Sequence, residues 1–200
     1  CMKVKIKKEG KVKEFKLINS WSDVTLETWL KLIDFETGTK TEEATETIAA
    51  LSDIPKQLVK ELALSDVAAI MSKVGDLQQE QDTKLKRIIT INDIEYGFHP
   101  DLDSISLGEY ADIEQFIKNG IDKNLPELMS VLYRPIKLKK NDIYIIDPYD
   151  GDIRLRAEEM KQMTAEQVQS ALVFFYNFVK VLSEILQSYL MERLKEMKQQ

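Results

Sequence analysis

The C-terminal stretch 164–200 constrains the fold most, because it predicts one helix that is longer than a small domain is wide. Thr164 and Gln167 form a T-x-x-Q capping box, in which each side chain satisfies a free backbone N–H at the start of a helix. From Val168 to Leu190, apolar residues recur at steps of three and four without Gly or Pro. A helix of about 34 residues spans roughly 50 Å.

The first half of this helix is apolar on nearly every side, so we expect residues 168–186 to be enclosed by protein. The residues that widen the apolar face are Phe174, Tyr176, Phe178 and Val181. The polar tail 191–200 is expected to project. An apolar helix that is longer than its own domain indicates a binding partner, because the apolar side chains at its far end would otherwise be exposed to solvent. The interface residues predicted on this helix are Tyr189, Leu190 and Leu194.

Charge is uneven along a chain whose net charge is -6. Residues 1–19 hold seven Lys and two Glu, whereas residues 20–82 hold five Lys and thirteen Asp and Glu. The acidic balance argues against a general binder of nucleic acid or anionic membranes, because both need clustered positive charge. Lys3, Lys5 and Lys7 alternate with apolar residues and form one basic face, which is a second predicted interface. The alternative is a Lys-rich edge strand that is kept from aggregating.

Alternation, capping and turn signals divide the chain into five parts. They are a basic β-hairpin at 1–19, a helical layer at 20–75, a Gln-rich linker at 76–84, a hairpin and helix part at 85–163, and the long helix at 164–200. Gly75 is expected to end the fourth helix of the layer. The predicted fold is α+β, mostly helical, with short antiparallel β-hairpins packed on a helical layer and the long C-terminal helix as a spine, in one compact body.

One predicted hairpin fixes its own register. Pairing Ile91 with Ile94 across an Asn-Asp turn places alternate residues on a single face, which we expect to pack inward. The members of that face are Ile89, Ile91, Ile94, Tyr96 and Phe98.

No constellation of residues indicates catalysis. His99 is the only histidine, and its setting between Phe98 and Pro100 is typical of a turn. Arg134, in an apolar setting, is predicted to form a buried ion pair or to anchor an interface. Asp147, Asp150 and Asp152 lack the spacing and the Glu of a calcium loop, and no glycine-rich phosphate motif is present. We therefore predict no enzyme, no cofactor and no metal site.

Cys1 is the only cysteine and precedes Met2, which is typical of a vector remnant. A lipidated N-terminal cysteine is the weaker alternative, because a strand pattern follows at once. Polar residues interrupt the apolar run around Phe175, so no membrane span is predicted. We expect the chain inside a cell, or inside a particle assembled there.

Several segments carry a resemblance to a known group of proteins. They are SWSDVTLETWLKL, IAALSDIPKQLVKELALSDVAAIM, INDIEYGFHPDLDSISLGEYADIEQFI, LPELMSVLYRPI, IDPYDG and ALVFFYNF. Together they resemble uncharacterised proteins encoded among tailed-bacteriophage virion-assembly genes, some of which look like tail assembly chaperones. The likeness covers roughly Trp21 to Leu190, and its motifs are helix caps, a hairpin and an aromatic helix.

The resemblance implies a non-enzymatic morphogenesis protein that binds another virion protein, such as the tape measure or a tail protein. Such a protein acts in the host cytoplasm during assembly. The alternative is a permanent component of the virion, in the neck, the tail or the inside of the head. Self-association is left open, and neither nucleic acid nor a membrane is expected as a partner.

Overall fold

The computed structural model describes residues 2–36, 38–79, 82 and 84–198, so Cys1 lies outside it. It does not describe the side chains of residues 182, 186, 189, 190, 193, 194 and 196–198. Within the described chain, the fold is α+β and mostly helical, with antiparallel hairpins and one long C-terminal helix, as predicted.

The strands form two antiparallel sheets, one with two strands and one with four in the order β3-β4-β5-β6. Their bounds are β1 Met2–Lys8, β2 Lys11–Leu17, β3 Ile88–Ile91, β4 Ile94–Phe98, β5 Tyr133–Lys140 and β6 Ile143–Ile146. The helices are α1 Leu26–Phe35, α2 Lys40–Leu51, α3 Lys56–Val59, α4 Leu64–Gln79, α5 Leu107–Lys118, α6 Leu125–Leu132, α7 Arg154–Met160 and α8 Ala165–Lys198.

Capping boxes start three of the helices, including the one predicted at Thr164. Thr39 with Glu42 and Ser106 with Glu109 each form a complete capping box, at the starts of α2 and α5. At the start of α8, the Thr164 N–H donates to Gln167 Oε1 at 3.0 Å and the Gln167 N–H donates to Thr164 Oγ1 at 3.1 Å. Each box satisfies backbone donors that the helix itself leaves unpaired.

The predicted end of α4 at Gly75 is wrong, because the helix continues to Gln79. The predicted linker 76–84 therefore begins as helix. A glycine inside a helix costs about 1 kcal/mol relative to alanine. Burial of Ile70, Val74 and Leu77 on one face of α4 outweighs that cost.

The register of the β3–β4 hairpin is confirmed, with Ile91 opposite Ile94 and Ile89 opposite Tyr96. Four of the five residues predicted to face inward are buried, but Ile94 is 49% exposed. Ile91, opposite it at the same end of the hairpin, is only 4% exposed. Beside the turn, the core therefore covers β3 but leaves β4 half exposed.

The core consists of two hydrophobic clusters. The first packs the four-stranded sheet against α5, α6 and α8 and includes Phe98, Tyr133 and Phe175. The second packs the β1–β2 hairpin against α2, α3 and α4 and includes Leu17 and Ile48. Both clusters include residues from the first turn of α8, so this turn joins them.

A glycine lets the aromatic ring of Tyr144 cross the sheet. A Cβ atom at Gly97 would lie 2.7 Å from Tyr144 Cδ2 and 3.0 Å from Ile146 Cγ2, both closer than carbon atoms pack. The ring lies there because the Tyr144 hydroxyl donates to the Phe98 carbonyl oxygen at 2.6 Å, on the neighbouring part of β4. This contact fastens β6 to the middle of the sheet.

We expect Gly97→Ala to lower the free energy of unfolding by about 1–3 kcal/mol, because the added methyl displaces the Tyr144 ring. Gly75→Ala is the matched control. No atom lies within 4 Å of its added Cβ, and alanine in the middle of α4 should raise stability by about 0.5–1 kcal/mol. Urea denaturation of both variants measures the difference, and equal stability of Gly97→Ala and the native chain would contradict the packing described.

Candidate interaction surface

The first turn of α8 is fixed to the body by backbone hydrogen bonds. The Leu26 N–H donates to the Met163 carbonyl oxygen at 2.7 Å, and the Ala165 N–H donates to the Val24 carbonyl oxygen at 2.7 Å. Between them, Thr25 and Thr164 form an isolated antiparallel bridge. The direction in which α8 leaves the body is therefore set at its root.

Among the described side chains of α8, those on one side only are buried, which corrects the prediction of enclosure for the described part of residues 168–186; Leu182 and Leu186 lie outside it. Val168, Ala171 and Phe175 are fully buried against the sheet cluster. Every described side chain after Val179 is exposed. The apolar residues left exposed are Val173, Phe174, Tyr176, Val181 and Ile185, between 38% and 60%. The helix passes the edge of the body after about four turns. The exposed sides of its apolar segment have no cover among the described residues.

Four of the uncovered or partly covered residues form one stripe along the helix. They are spaced i, i+4, i+7 and i+11, which places them on the same face of an α-helix. We call them the α8 stripe: Phe174, Phe178, Val181 and Ile185.

A cavity of about 460 Å³ lies alongside the α8 stripe. Its apolar wall is made by Phe174, Phe178 and Val181, and its opposite wall is the turn at 99–103. Arg87, Asp101 and Asp103 also line the cavity, so charged groups of both signs border it.

The inner end of the α8 stripe is held in position by its neighbours. The ring of Phe174 meets the ring of Phe98 edge to face, with centroids 5.5 Å apart. The Arg87 guanidinium carbon lies 5.8 Å from the centroid of the Phe174 ring. An apolar stripe at helical spacing, bordered by charges and preordered at one end, has the geometry that receives an amphipathic helix.

The predicted interface residues on α8 lie further along this helix. Tyr189, Leu190 and Leu194 are within the backbone of α8, but their side chains lie outside the described residues. The described neighbour Met191 is 57% exposed.

The predicted basic face is exposed, but its charge is partly balanced within the hairpin. Lys3 Nζ and Lys5 Nζ lie 3.2 and 3.5 Å from the carboxylate of Glu14 on β2. The hydrogen bond and the charge of Lys3, with a smaller contribution from Lys5, hold the pKa of Glu14 below its usual value. Lys7 is exposed on the same strand.

The structure places the basic hairpin and the α8 stripe against different parts of the body. Lys8 pairs with Glu61, which follows α3, and Ile6 packs into the second cluster. The α8 stripe extends from the sheet cluster. The basic hairpin and the α8 stripe are thus separate surfaces.

A buried polar cluster lies under the turn at 99–103. Arg134 forms an ion pair with Glu109, and both side chains are about 5% exposed. His99 Nε2 lies 3.6 Å from the same Glu109 oxygen. Of the two predictions for Arg134, the buried ion pair is confirmed. Sequence reasoning did not identify Glu109 as its partner, because the capping box of α5 already explained that carboxylate.

The ionisation of this cluster follows from its surroundings. Burial opposes charge on Glu109, but hydrogen bonds from Ser106 and Arg134 outweigh it, so the pKa of Glu109 lies below its usual value. Burial lowers the pKa of His99, while Glu109 and Asp101 act in the opposite direction. Neutral His99 beside a satisfied carboxylate is a structural arrangement, in which the ion pair fixes α5 against β5.

The turn at 147–152 uses the carboxylate of Asp150 in local contacts. The Asp152 N–H donates to Asp150 Oδ1 at 3.0 Å, and Arg156 Nη2 lies 3.0 Å from the same oxygen. In the part of the chain that the structure describes, no group of three or more His, Cys, Asp or Glu residues is arranged to hold a metal ion.

By length and composition, residues Ala165–Ile185 of α8 could cross a membrane, although the sequence analysis predicted no span. This is a weak indication, because core helices of water-soluble proteins pass the same test. Val168, Ala171 and Phe175 of this stretch belong to the core.

Comparison with protein-family models, with curated proteins and with solved structures finds no match to this chain.

We expect His99 to make stability fall as the pH is lowered from about 7 to about 5. The pKa of His99 in the folded chain lies below 6.5. Its contribution to the free energy of unfolding is therefore complete above pH 6.5. That contribution is lost at lower pH, because the unfolded chain binds the proton more readily than the folded chain does. Urea denaturation at several pH values should show a shallower pH dependence for His99→Gln. The carboxylates that also titrate there are common to both proteins. The same pH dependence in the two proteins would show that His99 is not held neutral by the fold.

Proposed function

We propose that this chain is a non-enzymatic bacteriophage morphogenesis protein, a tail assembly chaperone that shields an apolar helical segment of another virion protein. The tape measure or a tail protein is the proposed partner, in the host cytoplasm during assembly. The observation that carries the binding role is the α8 stripe, an apolar helix face that the body leaves exposed. The phage context comes from the sequence resemblance.

The arrangement of α8 supports transient binding of a helix. The root of the helix is fixed by the Leu26–Met163 and Ala165–Val24 hydrogen bonds, so the stripe is presented in a defined direction. Preorganisation of this kind lowers the entropic cost of association. The charged groups beside the cavity, Arg87 and Asp101, offer polar rim contacts around an apolar centre, which is the usual anatomy of an interface.

The α8 stripe gives the main test of this proposal. We expect Val181→Asp with Ile185→Asp to abolish binding of the tape measure protein encoded by the same phage, because the variant must bury two carboxylates without partners. Both residues are more than half exposed in the free chain, so the fold should be unaffected. Co-expression followed by co-purification measures the complex, and circular dichroism verifies the fold.

Ser183→Asp with Gln187→Asp is the matched control. It adds the same two charges to the opposite side of the same helix, and binding should be retained. If the tape measure protein does not bind the native chain, or if the stripe variant binds it as well as the native chain does, the proposal fails. Quantitative mass spectrometry of purified virions then separates the two roles, because a chaperone is absent from the particle and a structural component is present in many copies.

The basic face makes a second, independent prediction. If Lys3, Lys5 and Lys7 dock the acidic surface of the partner, replacing all three by Glu should weaken the complex at low salt and remove its salt dependence. Titration of the complex at two ionic strengths measures this. Binding that is unchanged at low salt would leave these lysines the role of protecting a sheet edge.

A further inference from the structure

Three exposed carboxylates border the α8 stripe. Asp101 and Asp103 belong to the turn that forms the wall of the cavity opposite the stripe. Glu184 lies about two and a half turns beyond the buried Phe175, so it is on the opposite side of the helix from the body. A helix that lies along the stripe therefore has the turn at 99–103 on one flank and Glu184 on the other.

These three carboxylates lack a basic partner in the described part of the chain. Among the described residues, no ion pair includes Asp101, Asp103 or Glu184. Asp101 Oδ1 accepts a hydrogen bond from the Asp103 N–H at 3.1 Å, which leaves its charge without a counterion. Other acidic residues do pair with lysine or arginine, for example Glu43, Asp82, Glu95, Asp150 and Glu158.

The basic groups of the cavity do not balance these charges. Arg87 lines the cavity, and its guanidinium carbon lies 5.8 Å from the centroid of the Phe174 ring. His99 also lines the cavity, but burial lowers its pKa and keeps it neutral. One guanidinium therefore stands against three carboxylates at this border.

The other charges of α8 leave the border acidic. Lys180 lies about 130° around the helix from the line of the stripe, so it is out of reach of a helix bound there. Beyond Ile185, the exposed side chains of Glu192 and Lys195 carry opposite charges and offset each other. The net charge next to the stripe is thus negative on both flanks.

We propose that the helix bound by the α8 stripe is a basic amphipathic helix, with Lys or Arg on both flanks of its apolar face. This inference rests on the proposed function, because it names the charge of the same partner helix. The stripe rises about 16 Å from Phe174 to Ile185, so about three turns of the partner cover it. Lys and Arg suit the flanks, since their stems cover apolar surface while their charged ends reach the carboxylates.

Charge selects this occupant over a second copy of the chain. Two copies that paired through their α8 stripes would bring the same unpaired carboxylates towards each other, and each chain has a net charge of -6. Like charges across an interface repel, whereas opposite charges at its rim speed association and select the partner. Because these carboxylates are exposed, their effect on affinity is moderate and depends on ionic strength.

Fluorescence anisotropy with two synthetic helical peptides tests the charge of the partner. Both peptides carry the same apolar residues at i, i+4, i+7 and i+11. Only their flanks differ, with Lys in one peptide and Glu in the other. The full native chain should bind the Lys peptide at least about tenfold more tightly at low ionic strength, and added salt should reduce the difference.

Exchange of the border charges should reverse this preference. Asp103→Lys with Glu184→Lys should bind the Glu peptide more tightly than the Lys peptide, and both positions are exposed, so the fold should be kept. Asp66→Lys with Asp76→Lys is the matched control. It changes the net charge equally at exposed positions of α4, which packs into the second cluster, and it should still prefer the Lys peptide.

Val181→Asp with Ile185→Asp separates docking on the stripe from general attraction to an acidic chain. This variant should bind neither peptide, because it loses the apolar contact. If the Lys peptide were held only by the overall negative charge, the two added carboxylates would make it bind more tightly.

The proposal is overturned if the two peptides bind equally, if neither binds, or if Asp103→Lys with Glu184→Lys retains the native preference. A chain that binds neither peptide and dimerises in sedimentation equilibrium would have a second copy as the occupant. A tape measure protein that binds through the stripe, with equal binding of the two peptides, would remove only this inference. Preference for the Lys peptide without binding of the tape measure protein would remove only the proposed function.

Discussion

The backbone hydrogen bonds between residues 24–26 and 163–165 are the contact on which the rest of the structure depends. They fasten the start of α8 to the segment that precedes α1. Ala165 packs with the helices and the N-terminal hairpin, whereas Val168, one turn later, packs with the four-stranded sheet. A single turn of helix therefore belongs to both hydrophobic clusters. Without it, the chain would consist of two small cores, each burying a smaller share of its surface.

The two exposed apolar surfaces differ in the partner geometry that they accept. The α8 stripe presents side chains at helical spacing with its backbone groups already bonded, so it can select a helix by side-chain fit alone. The exposed Ile143 and Ile145 lie on β6, an edge strand of the described sheet, where a partner would have to be an extended strand that supplies donors and acceptors.

Local chemistry made much of this fold predictable. The capping boxes at Thr39, Ser106 and Thr164 involve residues three positions apart, and the β3–β4 register follows from a two-residue turn. What the sequence did not reveal concerns contacts between distant parts of the chain. The ion pair of Arg134 was predicted, but its partner Glu109 lies on another element that no local pattern links to it.

The exposure of α8 was mispredicted for a similar reason. Apolar periodicity shows which face of a helix is apolar, but not how far the neighbouring elements reach along it. Gly75 predicts a helix end because glycine is unfavourable inside a helix, which is a local effect. The burial of Val74 and Leu77 compensates for that cost, and this burial depends on residues that are distant in the sequence. The candidate surfaces are the apolar side chains that neighbouring elements leave exposed. Only the assembled fold shows which side chains these are.

The separation in sequence between Val24 and Met163 has a consequence for synthesis. About 140 residues lie between the two sides of this junction, which at about 5–20 residues per second takes on the order of ten seconds to translate. During that interval, the nascent N-terminal part exposes the Trp21 and Val24 surface that Ala165 will later help to cover. The ribosome-bound chain therefore passes through a stage in which its own apolar surface is exposed, and it can present the α8 stripe only after α8 has been made.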